Sequence, residues 1–312
     1  MNFVINKRTY SQGIPFLSGT CLLIMLSIFT QCHSSKVVSV YQSTLPANDN
    51  TFNSLLWEIS GNQLKEPSYL FGTIHLIPEK EFFLSDIAKQ KLAQSKRLCL
   101  EIDLDDPATI TASLKGVMRK GVLLKDLLNG EDYTFLIKKL DQNDIPISMV
   151  KSLKPLLVST LLLEKSADEK MLNYESELAA LAKQQQKEII GLESAEFQMS
   201  MLDSIPYEEQ AKMLVDEARK AAGFSELRQM IRLYKTQNID AIYNYIINQS
   251  VGFNAKFERI LLSNRNENWI PVIAEKASEM STFFAVGAGH LGGEAGVIRQ
   301  LRAKGFTVRA VL

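Results

Sequence analysis

The sequence predicts an α/β (α+β) fold: a mixed central β-sheet built from N- and C-terminal segments, with a largely helical middle region. Runs of β-forming residues gather before residue 105 and after residue 281. Between them, residues 107–280 mostly repeat apolar residues three and four positions apart, which is the spacing of one helix face. Because a sheet must bury its apolar faces, we expect the helical middle to cap or flank it.

The individual elements are expected in a regular order along the chain. Strands are predicted from alternating, β-branched and aromatic residues at 55–60, 68–77, 97–104, 188–192, 282–286 and 306–312. Apolar periodicity predicts helices at 84–95, 174–183, 208–222, 226–249, 253–262 and 294–304. Gly305 is the stop signal that ends the last of them. The first and last of these strands are expected to share one sheet.

Composition limits the class of protein. With 46% hydrophobic and 22% charged residues, the 312-residue chain can bury a full core. Its formal net charge is +0, so no nucleic-acid partner is expected. Cys99 is the one cysteine of residues 54–312, which excludes an internal disulfide there. Its alternation with two leucines favours a buried apolar residue over a reactive thiol.

The N-terminal segment has the layout of a signal peptide. Lys7 and Arg8 precede an apolar stretch, residues 21–29, that is short for a membrane span. Residues 27–35 resemble a bacterial lipoprotein cleavage box in which Cys32 would carry the lipid, although Gln31 stands where a small residue is usual. We expect a lipoprotein-type signal peptide over 1–32, a flexible tether over 33–53 and one domain over 54–312. The protein would then be lipid-anchored to a membrane of the bacterial cell envelope or secreted, with an uncleaved anchor as a further alternative.

Two similar segments contain two of the three histidines. Residues 72–76 read Gly-Thr-Ile-His-Leu and residues 287–291 read Gly-Ala-Gly-His-Leu, each after a run of β-forming residues. Buried histidines need partners for their ring nitrogens, and open α/β sheets bind ligands beyond the carboxyl ends of their strands. His75 and His290 therefore predict one shared site. The alternative is that each histidine only caps a loop through hydrogen bonds.

A carboxylate lies within the predicted strand 97–104. Alternation there places the leucines and Ile102 on one face and Glu101, Asp103 and Asp105 on the other. Glu101 lies furthest into this strand. We therefore expect it to be buried and to need a cation, a metal or a histidine as its partner.

Two further segments contain candidate residues. Arg265 lies in a polar run, residues 262–269, that we interpret as the end of a helix. It could bind a carboxylate or stabilise an oxyanion, or it could belong to an exposed helix terminus. Glu193 follows the short predicted strand 188–192, where a site or the start of a helix explains it about equally well.

Two imidazoles and a carboxylate can form a shell for Zn, Mn, Co or Fe with an open position for water. We expect His75 and His290 each to reach about 2 Å from a common ion, with Glu101 facing the same point. The chain has no His-Glu-x-x-His motif, so metal ligation rests on residue types alone. A metal-free His/Glu acid–base pair remains the alternative.

Taken together and in this order, these segments resemble the TraB/GumN family, which is related to the Tiki metalloproteases. The resemblance covers about residues 54–312, and each motif alone is weak, whereas their order and spacing are specific. The matching segments are residues 56–59, 70–75, 100–101, 191–193, 265–266 with Trp269, and 286–291.

The resemblance implies a mixed sheet with helices and a site made from the two Gly-x-x-His motifs and a glutamate. In Tiki-like members this site is associated with metal-dependent peptide cleavage, favouring Mn or Co. The expected function is a peptidase-like, metal-dependent hydrolase acting on a peptide or protein; the alternative is a non-enzymatic protein that binds a peptide or envelope component there. The implied cofactor is Mn, Co or Zn, the implied ligands are His75, His290 and Glu101, and the implied catalytic residues are Glu101, Arg265, Asn266 and Glu193.

Overall fold

The computed structural model describes residues 53–113, 118, 121–167, 169–219, 223–249 and 255–312. The predicted signal peptide, Cys32 and nearly all of the tether lie outside the described residues. The strands are β1 (Leu56–Gly61), β2 (Ser68–Thr73), β3 (Ile77–Pro78), β4 (Arg97–Leu100), β5 (Met171–Leu172), β6 (Glu188–Gly191), β7 (Thr282–Gly287) and β8 (Phe306–Ala310).

Six of these strands form one mixed sheet in the described part of the chain, in the order β6-β4-β7-β2-β1-β8. The four strands β6, β4, β7 and β2 run parallel. Strand β1 is antiparallel to both β2 and β8. The sheet therefore combines strands from both ends of the chain, which confirms the predicted fold class.

The helices are largely contributed by the middle of the chain, as predicted. None of those in the described residues is both long and apolar enough to cross a membrane. They are α1 (Asp86–Gln94), α2 (Pro107–Ser113), α3 (Leu124–Leu127), α4 (Gly130–Asp141), α5 (Ile147–Val150), α6 (Pro155–Lys165), α7 (Tyr174–Gln184), α8 (Ala195–Asp203), α9 (Tyr207–Arg219), α10 (Gly223–Lys235), α11 (Ile239–Gln249), α12 (Ala255–Glu258), α13 (Asn264–Glu279) and α14 (Val297–Ala303).

Apolar residues cover both faces of the sheet. Neighbouring residues of a strand point to opposite faces, so Phe283 and Phe284 of β7 enter two different clusters. Phe283 shares its cluster with Tyr174 of α7, whereas Phe284 packs with Trp269 of α13 and Ile298 of α14. A sheet buried on both sides leaves its strand ends as the places where polar groups can gather.

Cys99 of β4 is fully buried in the cluster on the α13 side. Burial raises the pKa of its thiol well above the usual range, which disfavours the reactive thiolate. The expectation of a small buried apolar residue is therefore confirmed.

Two strands end four residues earlier than predicted. The strands expected to reach residues 77 and 104 end at Thr73 and Leu100. Past Leu100, the Asp103 carboxylate accepts a hydrogen bond from the Asp105 amide at 2.8 Å. Such local hydrogen bonds compete with the ladder of a sheet. Glu101 consequently lies just past the end of a strand rather than inside one.

The helix predicted over 226–249 is divided into α10 and α11. At the break, Gln237 adopts a φ of 57°, and the Asn238 side chain accepts a hydrogen bond from the Ala241 amide at 2.9 Å. Asparagine is a favoured N-cap residue, so it begins a new helix at this point.

Candidate functional site

The predicted site residues gather at the carboxyl ends of the parallel strands. His75 follows β2, Glu101 follows β4, and His290 ends a single 3₁₀ turn after β7. Glu193 lies two residues after β6. In open α/β sheets this edge is the usual place for ligands. Helix α13 adds Arg265 and Asn266 from the side.

Gly287 lies at the centre of this group. A Cβ atom built on Gly287 would lie 3.2 Å from His75 Nε2, 3.4 Å from Glu101 Oε1 and 3.6 Å from His290 Cδ2. The two histidines, 215 positions apart in the sequence, thus converge on one small volume together with the glutamate. This volume exists because residue 287 has no side chain.

His290 is held by Asn266 and Arg265. Its Nδ1 lies 2.6 Å from Asn266 Oδ1, and the Asn266 amide group donates to the carbonyls of His290 and Ala295. Since Asn266 Oδ1 is an acceptor, Nδ1 carries the proton and Nε2 accepts from Arg265 Nη1 at 3.1 Å. Burial and the Arg265 charge lower the pKa of His290 to about 3, so the ring is neutral near pH 7.

His75 is held by a buried carboxylate. Its Nδ1 lies 2.8 Å from Glu175 Oε1, an ion-pair contact that is not aligned as a hydrogen bond. The same oxygen accepts a hydrogen bond from the Thr73 hydroxyl. Burial alone would lower the pKa of His75, but Glu175 outweighs it and raises that pKa above the ordinary value. The Nε2 atom is buried without a hydrogen-bond partner among the described residues and faces the space above Gly287.

Glu175 is a site residue that the sequence reasoning missed. It is fully buried and lies on the apolar stripe of α7 with Leu178, Ala179 and Ala182. A carboxylate at a core-facing helical position needs a partner, so this departure from the periodic pattern was a usable signal. Glu175 contacts His75 and therefore acts as a positioning residue.

Glu101 is buried and receives hydrogen bonds at both oxygens. Oε1 accepts from the Gly287 amide at 2.8 Å, while Oε2 accepts from Arg265 Nη2 at 2.5 Å and from Gln198 Nε2 at 3.3 Å. Burial alone would raise the pKa of Glu101, but the Arg265 charge, with smaller contributions from the histidines and the Gly287 amide, lowers it to about 2. Glu101 is therefore ionised at neutral pH. Gln198 is a second contact that the sequence reasoning did not identify.

We expect acid to destabilise the metal-free protein through Glu101. Its pKa in the folded protein, about 2, lies below the ordinary 4.5, so the ionised group contributes stability that is fully present above pH 4.5 and lost as the pH falls towards 2. This contribution is about 3 kcal/mol. Urea unfolding in the presence of a chelator at several pH values measures it. As the pH is lowered, the free energy of unfolding should fall less steeply in Glu101→Gln than in the wild type. Equal pH dependence in both proteins would contradict the stabilising role of ionised Glu101.

Arg265 lies at the start of α13, which corrects the predicted helix ending over 262–269. A π-helical turn, Arg259–Ser263, directly precedes it. The Arg265 side chain is 1% exposed, so the alternative of an exposed helix terminus is wrong. Its guanidinium lies over the Trp269 ring, 4.6 Å from the ring centroid.

Glu193 is the second carboxylate partner of Arg265. Its Oε1 accepts from Arg265 Nε at 3.0 Å and from Nη2 at 2.6 Å, while Oε2 accepts from Trp269 Nε1 at 2.9 Å. The cap of α8 is the neighbouring Ser194, whose hydroxyl accepts from the Phe197 amide. Glu193 therefore orients the Arg265 guanidinium and does not cap helix α8.

The side chains around Gly287 include atom types that could bind a divalent metal. A buried Nε2 without a partner, a neutral imidazole and an ionised carboxylate surround one small volume, and both histidines have their Nδ1 atoms fixed by an outer oxygen, as metal-binding histidines usually do. Within the described ranges, however, no three His, Cys, Asp or Glu side chains are placed so that they could hold a metal ion together. As arranged, the Arg265 guanidinium occupies His290 Nε2 and Glu101 Oε2.

Fold and site together define an α/β protein with a buried His–Glu–His group at the carboxyl ends of parallel strands. Residues 55–310 match the TraB/PrgY/gumN family, and the chain belongs to this family. The resemblance found in the sequence motifs is thereby confirmed.

Several curated relatives are metalloproteases. The chain is 25% identical to metalloprotease TIKI1 of Danio rerio over 325 aligned positions, covering 86% of this chain and 64% of that protein. It is 31% identical to metalloprotease TIKI2 of Danio rerio over 128 residues, covering 40% of this chain and 25% of that protein. It is 34% identical to metalloprotease TIKI1 of Homo sapiens over 99 residues, covering 31% of this chain and 19% of that protein. The chain thus spans less than two thirds of each of these relatives. No solved structure matches it.

Proposed function

We propose that the protein is a metal-dependent hydrolase that cleaves peptides. The observation that carries the proposal is the convergence of His75 Nε2, Glu101 Oε1 and the His290 ring on the space above Gly287. The similarity to relatives named metalloproteases supports the same class of activity.

In this proposal His75, His290 and Glu101 hold the metal, which is Mn, Co or Zn. When bound, a divalent metal supplies Lewis acidity that polarises a carbonyl and lowers the pKa of water. The depressed pKa of Glu101 makes it a weak proton acceptor, which favours a ligand role over a general-base role.

The other residues orient the site and the substrate. Arg265 is a fixed cation between two carboxylates, and the Nη1 donor that now reaches His290 Nε2 would be released to a substrate carbonyl or carboxylate when His290 binds the metal. Glu193 holds this guanidinium, and Asn266 sets the orientation of the His290 ring. Asn266 and Glu193 are therefore positioning residues, whereas Arg265 contacts the substrate.

The proposal is tested with the purified chain, a random peptide pool and added Mn, Co or Zn. Mass spectrometry should detect cleavage products that disappear with a chelator and in both His75→Ala and His290→Ala. The exposed Arg219→Ala serves as a control that keeps activity. Peptides that bind the protein but stay intact with every metal would overturn the proposal in favour of a binding protein.

Replacement of Glu175 by glutamine should weaken metal binding through His75. The amide keeps the size of the side chain but removes the charge beside Nδ1, which makes Nε2 a poorer ligand. Loss of an outer partner typically costs about 10- to 100-fold in metal affinity or activity. Titration with Co²⁺ followed by absorbance measures the affinity, and Glu177→Gln on the same helix is the matched control. Equal Co²⁺ affinities in Glu175→Gln and Glu177→Gln would contradict this role.

We further propose that the protein is located in the bacterial cell envelope and anchored to a membrane by a lipid on Cys32. The charged start, short apolar stretch and cysteine of the first 32 residues support it. Mass spectrometry of the mature N-terminus should show a diacylglyceryl group on Cys32. An intact Met1 would contradict cleavage of the leader.

A further inference from the structure

An apolar cavity adjoins the histidines. It has a volume of about 40 Å³, and His75, Gly287 and His290 form one wall of it. It is also lined by Met230 and Tyr234 of α10, Ile242 and Ile246 of α11, and Leu262 of the π-helical turn.

The lining of this cavity offers little for a polar group. The Tyr234 hydroxyl donates to the Gly72 carbonyl at 2.8 Å, so the hydroxyl is already used and the ring contributes apolar surface. Met230 and Ile242 are aliphatic and buried. An apolar group that enters the cavity from the His75 side would therefore be stabilised by the burial of its apolar surface.

Gly289 determines how closely α11 approaches the site. A Cβ built on Gly289 would lie 2.6 Å from Ile246 Cδ1, so the missing side chain makes room for Ile246 against the 3₁₀ turn that contains His290. Ile246 therefore limits the size of the cavity at the point where it reaches the site.

Resting on the proposed peptidase activity, we infer that this cavity is a specificity pocket for a small aliphatic side chain, alanine to valine in size, beside the bond that is cleaved. Its position against His75 and His290 places an inserted side chain next to the reacting groups. Its volume of about 40 Å³ corresponds to about three enclosed waters, at about 10–15 Å³ each, which fits a few carbon atoms but not an aromatic ring.

The matched variants change the wall without touching the histidines. Ile246→Ala and Met230→Ala enlarge the pocket from two different helices. Asn244→Ala changes an exposed residue of α11 and serves as the control. Circular dichroism verifies folding, and Ile242→Val provides a milder enlargement if a larger truncation fails to fold.

The experiment uses the full chain and one random octapeptide pool with two readouts. With added Mn, sequencing of products gives the residue frequencies on both sides of the cut. With a chelator, analysis of the peptides retained on immobilised protein gives binding preference without turnover. Wild type and Asn244→Ala should favour Ala and Val over Phe by about 10-fold at one position, since a single methylene in an apolar pocket has effects of about that size. Ile246→Ala and Met230→Ala should shift the preference towards Leu and Phe.

The outcomes separate the two proposals. Cleavage with residue preferences that are the same in wild type and in both enlarged variants would overturn the pocket and leave the hydrolase intact. Retention preferences that shift with the variants, without any products, would support the pocket and overturn the hydrolase. The absence of both products and selective retention would overturn both.

Discussion

Replacement of Gly287 by alanine is expected to remove most of the proposed hydrolytic activity while the protein stays folded. The added methyl group would occupy the space between His75 Nε2 and Glu101 Oε1, at 3.2 and 3.4 Å from them. Gly287 has a φ of −52°, which alanine adopts without strain. A displacement of reacting groups by about 1 Å can lower the rate about 100-fold. We therefore expect kcat/KM to fall by at least about that factor.

Gly130→Ala is the matched control for this substitution. Beyond its chain neighbours and the backbone of its own helix, no heavy atom lies within 4 Å of a Cβ built on Gly130, which begins α4. Its activity should equal that of the wild type. Thermal unfolding distinguishes loss of function from loss of fold, because both variants should melt within a few degrees of the wild type. Wild-type kcat/KM in Gly287→Ala would show that the space above residue 287 takes no part in the reaction.

The sheet and the meeting of the two histidines could be predicted because both follow from local patterns. Alternation identified the strands near both ends of the chain, and parallel strands bring their carboxyl ends to one edge of a sheet. The two matching Gly-x-x-His segments follow such strands, and they meet because their strands, β2 and β7, are also direct neighbours in the sheet. Glu101 lies at the same edge because it directly follows β4, which runs parallel to β7, and alternation assigned it to the face opposite the leucines on either side of Cys99.

The outer partners of the histidines could not be predicted with the same rules. Glu175 lies 100 positions from His75 and belongs to helix α7, whereas His75 follows strand β2, so only the three-dimensional packing reveals the contact. The same holds for Gln198, which reaches Glu101 from α8. Periodicity assigns a face to a residue but does not specify which distant residue it meets.

The polar run around Arg265 was misinterpreted for a physical reason. Charged and amide side chains in succession usually mark a solvated helix end, and here they begin a helix instead. Arg265 is buried because two carboxylates and the ring of Trp269 replace its contacts with water. From the sequence alone, charged side chains that pair with one another in the interior cannot be distinguished from charged side chains on the surface.

Replacement of Arg265 by methionine should have the largest effect on stability of any change in the site. Methionine keeps much of the volume but leaves Glu101 and Glu193 without their shared cation, and all three side chains are at most 7% exposed. Removing one partner of a buried ion pair costs about 3–5 kcal/mol. Urea unfolding at pH 7 measures this loss. Arg219→Met is the control, because Arg219 pairs with Asp132 at the surface and is 43% exposed, where such a pair contributes about 0–1 kcal/mol.

The pH dependence of the Arg265→Met variant distinguishes loss of charge from loss of packing. Without the guanidinium, burial dominates and should raise the pKa of Glu101 above its ordinary 4.5. The raised pKa means that the folded variant binds a proton more tightly than the unfolded chain, so its stability relative to the wild type should improve as the pH is lowered from 7 towards 5. If the difference in free energy of unfolding between variant and wild type stays constant over this range, the destabilisation comes from lost packing. That result would contradict the role of Arg265 as the cation that keeps Glu101 ionised.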